Sequence, residues 1–175
     1  MAFSLSQPTS RLEQCPGCRR AYQPSEGPTH AYIGASPGCW ARYGELLALE
    51  YSDSRLMRWH RLTVDAYAAQ HPGVAERRTA QSVHVHLVGL HLVLERDVEP
   101  DRVVSALQRM ADGRTFEWFE PPSLETKAGV DEAIAAAGPD AYGVIVRAWA
   151  LEVWQAWEGY HNLVRAEAEA ALTSH

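Results

Sequence analysis

Three cysteines are the residues of this sequence with the clearest metal-binding chemistry. Cys15 and Cys18 form a C-x2-C pair in the segment CPGC, and Cys39 follows a stretch rich in glycine and proline. A tight Cys-Pro-Gly-Cys turn places two sulfur atoms on one side of a loop, as a tetrahedral zinc ion requires. An odd number of cysteines with one close pair is more typical of a metal site than of a disulfide framework. The sequence therefore predicts a zinc-binding loop over residues 15–38.

A tetrahedral zinc site needs a fourth ligand, and two histidines are candidates. His30 is nearest in sequence and gives the pattern C-x2-C-x11-H-x8-C, whereas His60 could approach from a neighbouring helix. Three thiolates and one imidazole close the coordination shell, so no position is left for a substrate. We therefore expect a structural zinc ion bound by Cys15, Cys18, Cys39 and His30, with His60 as the alternative fourth ligand.

The same CPGC segment allows thiol redox chemistry as a second alternative. Thioredoxin-type enzymes use a C-x-x-C pair at the start of a helix inside a βαβ unit. No predicted strand precedes Cys15, and Pro24 interrupts the chain soon after Cys18. The zinc interpretation is therefore favoured over a redox role for Cys15 and Cys18.

Further histidines could form a second pocket between predicted helices. His60, Asp65, His71 and His86 fall on two consecutive helices, and facing helices of a bundle can bring such side chains to one metal ion. A metal ion with an open position there would indicate a metal-dependent hydrolase or transferase. Each histidine taken separately is more typical of a hydrogen-bonded core residue, so this enzyme remains an alternative.

The elements that must position these residues are helices. Ser36 can cap a helix with Pro37 in its first turn, and His71-Pro72-Gly73 ends a second helix. The apolar spacing predicts helices over residues 37–52, 53–70, 76–95, 100–112, 129–137 and 140–171, with an aromatic loop over 113–128. The expected fold is all-α, a helical bundle with an irregular, metal-stapled N-terminal loop. One domain is expected over residues 1–175, with a loose arm at 1–14, the zinc-binding loop at 15–38 and the bundle at 37–172.

Composition limits the possible partners. Of 175 residues, 46% are hydrophobic and 22% are charged, and the net charge of −6 offers no basic surface for nucleic acid. No apolar run is long enough to span a membrane, and no signal peptide is recognisable, so we expect a cytoplasmic protein without a membrane partner. An unidentified small molecule or protein is the expected partner. The six Trp and seven Tyr would also suit a homodimer interface.

Several segments together resemble an uncharacterised bacterial family catalogued as a domain of unknown function. They are CPGC, GPTHAYIGASPGCWARYGELL, HRLTVDAYAAQHPG, QSVHVHLVGL and WALEVWQAWEGYH. The resemblance implies a bacterial cytoplasmic protein and gives no activity to carry over. Together with the structural zinc ion expected above, we therefore expect a binding or regulatory role. The resemblance also implies motif positions for Cys15, Cys18, His30, Cys39, His60, Asp65, His71 and His86. A looser, fold-level likeness is to the DinB-like helical bundles.

Overall fold

The fold is mainly helical in the part of the chain that the computed structural model describes, residues 11–111, 114–136 and 138–173. These residues form eight α-helices, one 3₁₀ turn and one two-stranded antiparallel sheet, which confirms the predicted all-α class. Most of the predicted loose arm, residues 1–10, lies outside the described residues. The end of that predicted arm is a short strand rather than a loose segment.

The elements follow one another along the chain with short connections. The strands are β1 (Glu13–Gln14) and β2 (Ala21–Tyr22), and the 3₁₀ turn is Glu158–Tyr160. The helices are α1 (Pro37–Ser52), α2 (Ser54–Met57), α3 (His60–Gln70), α4 (Arg77–Leu94), α5 (Pro100–Ala111), α6 (Val130–Ala135), α7 (Pro139–Ala156) and α8 (His161–Thr173).

Helix α1 begins as the sequence predicts. Ser36 has extended backbone angles, and its side chain accepts a hydrogen bond from the backbone N–H of Cys39 at 3.3 Å. Pro37 occupies the first helical position, where its missing N–H costs no hydrogen bond. This cap fixes the position of Cys39 relative to the preceding loop.

Two predicted helices are each broken in the structure. The expected helix over 53–70 divides into α2 and α3 around Trp59. The Trp59 ring packs closely on Gly143 of α7, because a Cβ added to Gly143 would lie 2.4 Å from Cζ2 of Trp59. The expected helix over 140–171 divides at the 3₁₀ turn, which directly follows Trp157. The indole N–H of Trp157 donates to the carbonyl oxygen of Ala69 at 3.1 Å. Tertiary contacts of the two tryptophans accompany both breaks, and the apolar periodicity continues across them.

The centre of the bundle is α3, which packs against α4 and α7. The largest fully buried side chains include Trp149, Trp154, Trp157 and Tyr67. The Trp149 indole donates to the side-chain oxygen of Gln70 at 2.9 Å, and the Gln70 amide donates to the carbonyl oxygen of Leu124 at 3.0 Å. These bonds anchor the end of α3 to α7 and to the loop at 114–128, so the residue after α3 has a fixed place.

Hydropathy of the described helices gives one further result. None of them is both long enough and apolar enough to cross a membrane.

Candidate metal centre

Four buried side chains converge where the N-terminal hairpin meets the helices. The Sγ atoms of Cys15, Cys18 and Cys39 and a ring nitrogen of His71 all lie within 4.8 Å of one another. Their exposed fractions are 0%, 5%, 0% and 0%. The three cysteines are not joined by a disulfide. The arrangement is a compact S₃N donor set shielded from solvent.

The β1–β2 hairpin presents the first two sulfurs. The Cys15 N–H donates to the carbonyl oxygen of Arg20 at 2.8 Å, and the Arg19 N–H donates to the carbonyl oxygen of Cys15 at 3.0 Å. Arg19 has φ of 62°, the left-handed conformation that lets a chain reverse within a few residues. This turn holds Cys15 and Cys18 on the side of the hairpin that faces the helices.

The third sulfur comes from the first turn of α1. Cys39 is the third residue of that helix, where the helix dipole favours a thiolate. Gly38 lets the loop pass close to the helix, because a Cβ there would lie 2.2 Å from the carbonyl oxygen of Gln23. Gln23, which directly follows β2, therefore packs against Gly38, the residue before Cys39.

The imidazole comes from His71, the C-cap residue directly after α3. Its Nδ1 lies 2.7 Å from the carbonyl oxygen of Tyr67, which can only accept, so Nδ1 carries the proton and Nε2 faces the sulfurs. Nε2 is 3.4 Å from Sγ of Cys39. Metal-bound histidines are commonly fixed in this way by a carbonyl behind the ring. Gly17 closes the other side, because a Cβ there would be 2.5 Å from Cδ2 of His71.

Tyr67 forms the wall behind the cluster. Its hydroxyl lies 3.5 Å from Sγ of Cys39 and can donate a hydrogen bond to it. The Tyr67 ring stacks on Tyr43 with centroids 3.7 Å apart and on His71 with centroids 4.1 Å apart. These contacts orient a hydrogen-bond donor toward the sulfur and exclude water from one side.

The electrostatics of the cluster favour a bound cation. Hydrogen bonds from Cys18, then Cys39, lower the pKa of the Cys15 thiol, while hydrogen bonds with Cys15 and Cys18 raise the pKa of the Cys39 thiol. Burial opposes protonation of His71, but the Cys15 and Cys18 side chains outweigh it and raise the pKa of His71 to about 9. Without a metal ion, the thiolate of Cys15 is therefore stabilised by hydrogen bonds from the other two cysteines. Cys39 supplies one of these bonds and has to stay protonated to do so. A divalent cation removes that requirement, because it stabilises every thiolate at once.

The fourth residue of this cluster differs from the expected one. His30 is exposed, and its ring contacts Tyr32 and Trp40, with centroid distances of 4.3 and 5.7 Å. His60 lies elsewhere, with Nδ1 2.7 Å from a carboxylate oxygen of Glu50. The reason is the path of the chain after α3, where the N–H of Gly34 donates to the carbonyl oxygen of His71 at 2.8 Å and brings that residue to the loop.

The expected second pocket of His60, Asp65, His71 and His86 does not form as one group. His71 belongs to the sulfur cluster, and His60 pairs with Glu50. The Nδ1 atom of His86 lies 2.7 Å from a carboxylate oxygen of Asp65. Within the described residues, the sulfur cluster is the only group of three or more His, Cys, Asp or Glu side chains that could hold a metal ion.

The fold and this cluster define an all-α protein with a candidate Cys₃His metal centre. A sequence model of the family of unknown function DUF5946 matches residues 13–158, so the chain belongs to that family. The matched range contains all four residues of the cluster. No curated protein and no solved structure matches the chain. The expected membership of an uncharacterised family is confirmed, and the likeness to DinB-like bundles stays a prediction.

Proposed function

We propose that Cys15, Cys18, Cys39 and His71 bind one zinc ion that stabilises the fold and takes no part in catalysis. The observation that carries this proposal is the convergence of four buried ligand atoms within 4.8 Å, from three separate segments of the chain. Three thiolates and one imidazole suit zinc better than the hard cations, which prefer oxygen ligands.

A structural role follows from the closed donor set and from its position. Four protein ligands complete a tetrahedron, so neither water nor substrate has a place on the ion. The ion would join the β1–β2 hairpin, the start of α1 and the end of α3, which are far apart in sequence. The hairpin strands are only two residues each, and such a short pair is not stable alone. Zinc would supply the missing stabilisation.

The thiol redox alternative has weaker support. A redox pair exchanges with an outside partner and needs an accessible thiol, whereas Cys15 and Cys18 are 0% and 5% exposed. Zinc-bound thiolates must stay reduced, which supports the expected cytoplasmic location. The expected binding or regulatory role is part of the same proposal, because a closed zinc site leaves function to surfaces and pockets elsewhere.

Zinc content of matched histidine variants tests the proposal. Elemental analysis of the purified chain should give one zinc per chain. His71→Ala should lose most of it, while His30→Ala should keep it, because the His30 ring lies outside the cluster. Thiol titration adds a second readout, since the three thiols of the wild-type protein should react slowly until a chelator or denaturant releases the metal. A metal-free chain whose Cys15 and Cys18 cycle between dithiol and disulfide would overturn the proposal and favour the redox alternative.

A further inference from the structure

A second feature of the fold is an aromatic cavity beside the metal centre. Its volume is about 260 Å³, and it lies between the loop before α1 and the helices α1, α3 and α4. Its wall includes Trp40, Tyr43, Tyr67 and His86. None of its wall residues is Asp, Glu, Lys or Arg.

His86 is held in the cavity wall by a buried carboxylate. Asp65 is fully buried, accepts from Nδ1 of His86 at 2.7 Å, and also pairs with the guanidinium of Arg61. Gly89 makes room for this carboxylate, because a Cβ there would lie 2.2 Å from an Asp65 oxygen. With Nδ1 as the donor to Asp65, a neutral His86 presents Nε2 as an acceptor. Nε2 has no hydrogen-bond partner among the residues that the structure describes.

Three aromatic rings form an apolar wall of the same cavity. Trp40 lies with its ring centroid 5.6 Å from that of Tyr43 and 5.8 Å from that of Tyr67. The Tyr43 and Tyr67 rings are buried and stack on each other, so they make this wall rigid, and Trp40 is its partly exposed ring. Such walls bind planar rings, while a single oriented polar atom provides specificity.

Charge and size narrow the class of ligand. Anionic groups such as phosphate or carboxylate would find no Lys or Arg side chain in the wall, and the charge of Asp65 is already matched by Arg61. A volume of about 260 Å³ suits one or two fused rings rather than a drug-sized molecule. The acceptor at Nε2 needs an N–H donor on the ligand.

We propose that this cavity binds an uncharged, planar heteroaromatic molecule that donates an N–H hydrogen bond to Nε2 of His86. The Trp40 ring supplies stacking, and the Asp65 carboxylate fixes the tautomer and the orientation of His86. The site uses no metal ion and is separate from the sulfur cluster, although Tyr67 contacts both. This proposal goes beyond the structural zinc and does not require it.

Calorimetric titration with two probes tests the site. Indole has the required ring and N–H group, while 1-methylindole has the ring alone. The wild-type protein should bind indole about fivefold or more tightly than 1-methylindole, the range expected for one neutral hydrogen bond. His86→Ala should weaken indole binding to the level of 1-methylindole. The matched control is His60→Ala, a carboxylate-paired histidine outside the cavity, which should leave indole binding unchanged.

The comparison of the two probes needs no variant, so it stands if His86→Ala fails to fold. Trp40→Ala should weaken both probes, since it removes the stacking wall. Three results would overturn the proposal: no binding of indole to the wild-type protein, equal affinity for the two probes, or indole binding that survives His86→Ala in a folded chain. Binding of tetramethylammonium in preference to indole would instead show that the cavity is a site for organic cations. That result would also contradict the proposal of an uncharged ligand.

Discussion

At the residue scale, the His71 ring is fixed by contacts with Tyr67 and Gly17. The Tyr67 carbonyl holds Nδ1 from behind, the Tyr67 ring stacks on one face, and Gly17 packs against Cδ2. A ligand already oriented in this way loses little entropy when a metal binds. The position of Nε2 is therefore set by backbone and ring contacts before any ion is present.

Gly17→Ala tests that positioning directly. The new Cβ would lie 2.5 Å from the His71 ring and 2.9 Å from the carbonyl oxygen of Gln70, so either the hairpin or the imidazole must shift. We expect zinc affinity to fall about tenfold or more, as for other groups that support metal ligands. Competition with a coloured chelator measures the affinity.

Gly44→Ala is the matched control for that substitution. Gly44 lies inside α1, and an added Cβ there would meet nothing within 4 Å. Zinc affinity should not change, and the helix should become more stable by about 0.5–1 kcal/mol. Equal zinc affinities for both variants and the wild-type protein would contradict the account of Gly17.

The sequence was sufficient to indicate the sulfur residues of the cluster and insufficient to indicate its imidazole. Cysteines at C-x2-C spacing in a Gly/Pro-rich segment carry a local signal, which the structure matches by bringing Cys15, Cys18 and Cys39 together. His71 comes from a segment 32 residues beyond Cys39, so its approach depends on how α3 packs. The only local signal is its place directly after a predicted helix and before Pro72 and Gly73, which marks a chain turn and not a ligand.

At the element scale, α3 and α4 are held together around a carboxylate. Asp65 of α3 fits against Gly89 of α4 and reaches His86 one turn earlier on the same helix face. Burial of a carboxylate is costly unless it is paired and hydrogen-bonded, and here Arg61 and His86 meet both needs. The packing of these helices and the orientation of His86 are therefore coupled.

Gly89→Ala measures that coupling. The added Cβ would lie 2.2 Å from Oδ2 and 2.7 Å from Cγ of Asp65, so the helices must separate or the carboxylate must move. We expect a loss of about 1–3 kcal/mol in the free energy of unfolding, measured with urea. In an Asp65→Ala background the same substitution should cost much less, because the obstructing side chain is gone. Equal costs in both backgrounds would show that Gly89 does not act through Asp65.

Helix existence could be read from the sequence, whereas breaks within helices could not. The expected segments 37–52, 76–95 and 100–112 each correspond to one observed helix. The breaks at Trp59 and after Trp157 accompany contacts with distant residues, Gly143 and Ala69. The β1–β2 hairpin was missed because strands of two residues carry no alternation that a sequence pattern could show.

At the scale of the whole molecule, Glu95 connects α4, α7 and α8 at the C-terminal end of α4. It follows α4, accepts from the Trp154 indole of α7 at 3.0 Å, and pairs with the Arg165 guanidinium of α8 at 2.8 Å. The hydrogen bonds from Arg165, helped by Trp154, lower the pKa of Glu95 from 4.5 to about 2. Because the folded-state pKa is depressed, the stabilisation is present above pH 4.5 and is lost as the pH falls toward 2.

Glu95→Gln should therefore flatten part of the acid limb of the stability curve. We expect the variant to be less stable than the wild-type protein at pH 7, and the difference to shrink as the pH falls from about 4.5 to about 2. Thermal unfolding across that range measures it. If the proposed zinc ion dissociates in acid, both proteins would lose it alike, so their difference isolates Glu95. Glu125→Gln, at an exposed loop position, should behave like the wild-type protein. A stability difference that stays constant with pH would contradict the account.

X-ray absorption at the zinc edge would identify the ligands of the one zinc ion that we propose is bound by three sulfurs and the His71 nitrogen. We expect one zinc per chain with three sulfur neighbours at about 2.3 Å and one nitrogen neighbour at about 2.0–2.1 Å. The nitrogen contribution should be replaced or lost in His71→Ala and unchanged in His30→Ala. A first shell made of oxygen and nitrogen alone, or a sulfur-containing shell that keeps its imidazole in His71→Ala, would contradict zinc binding by the three cysteines and His71.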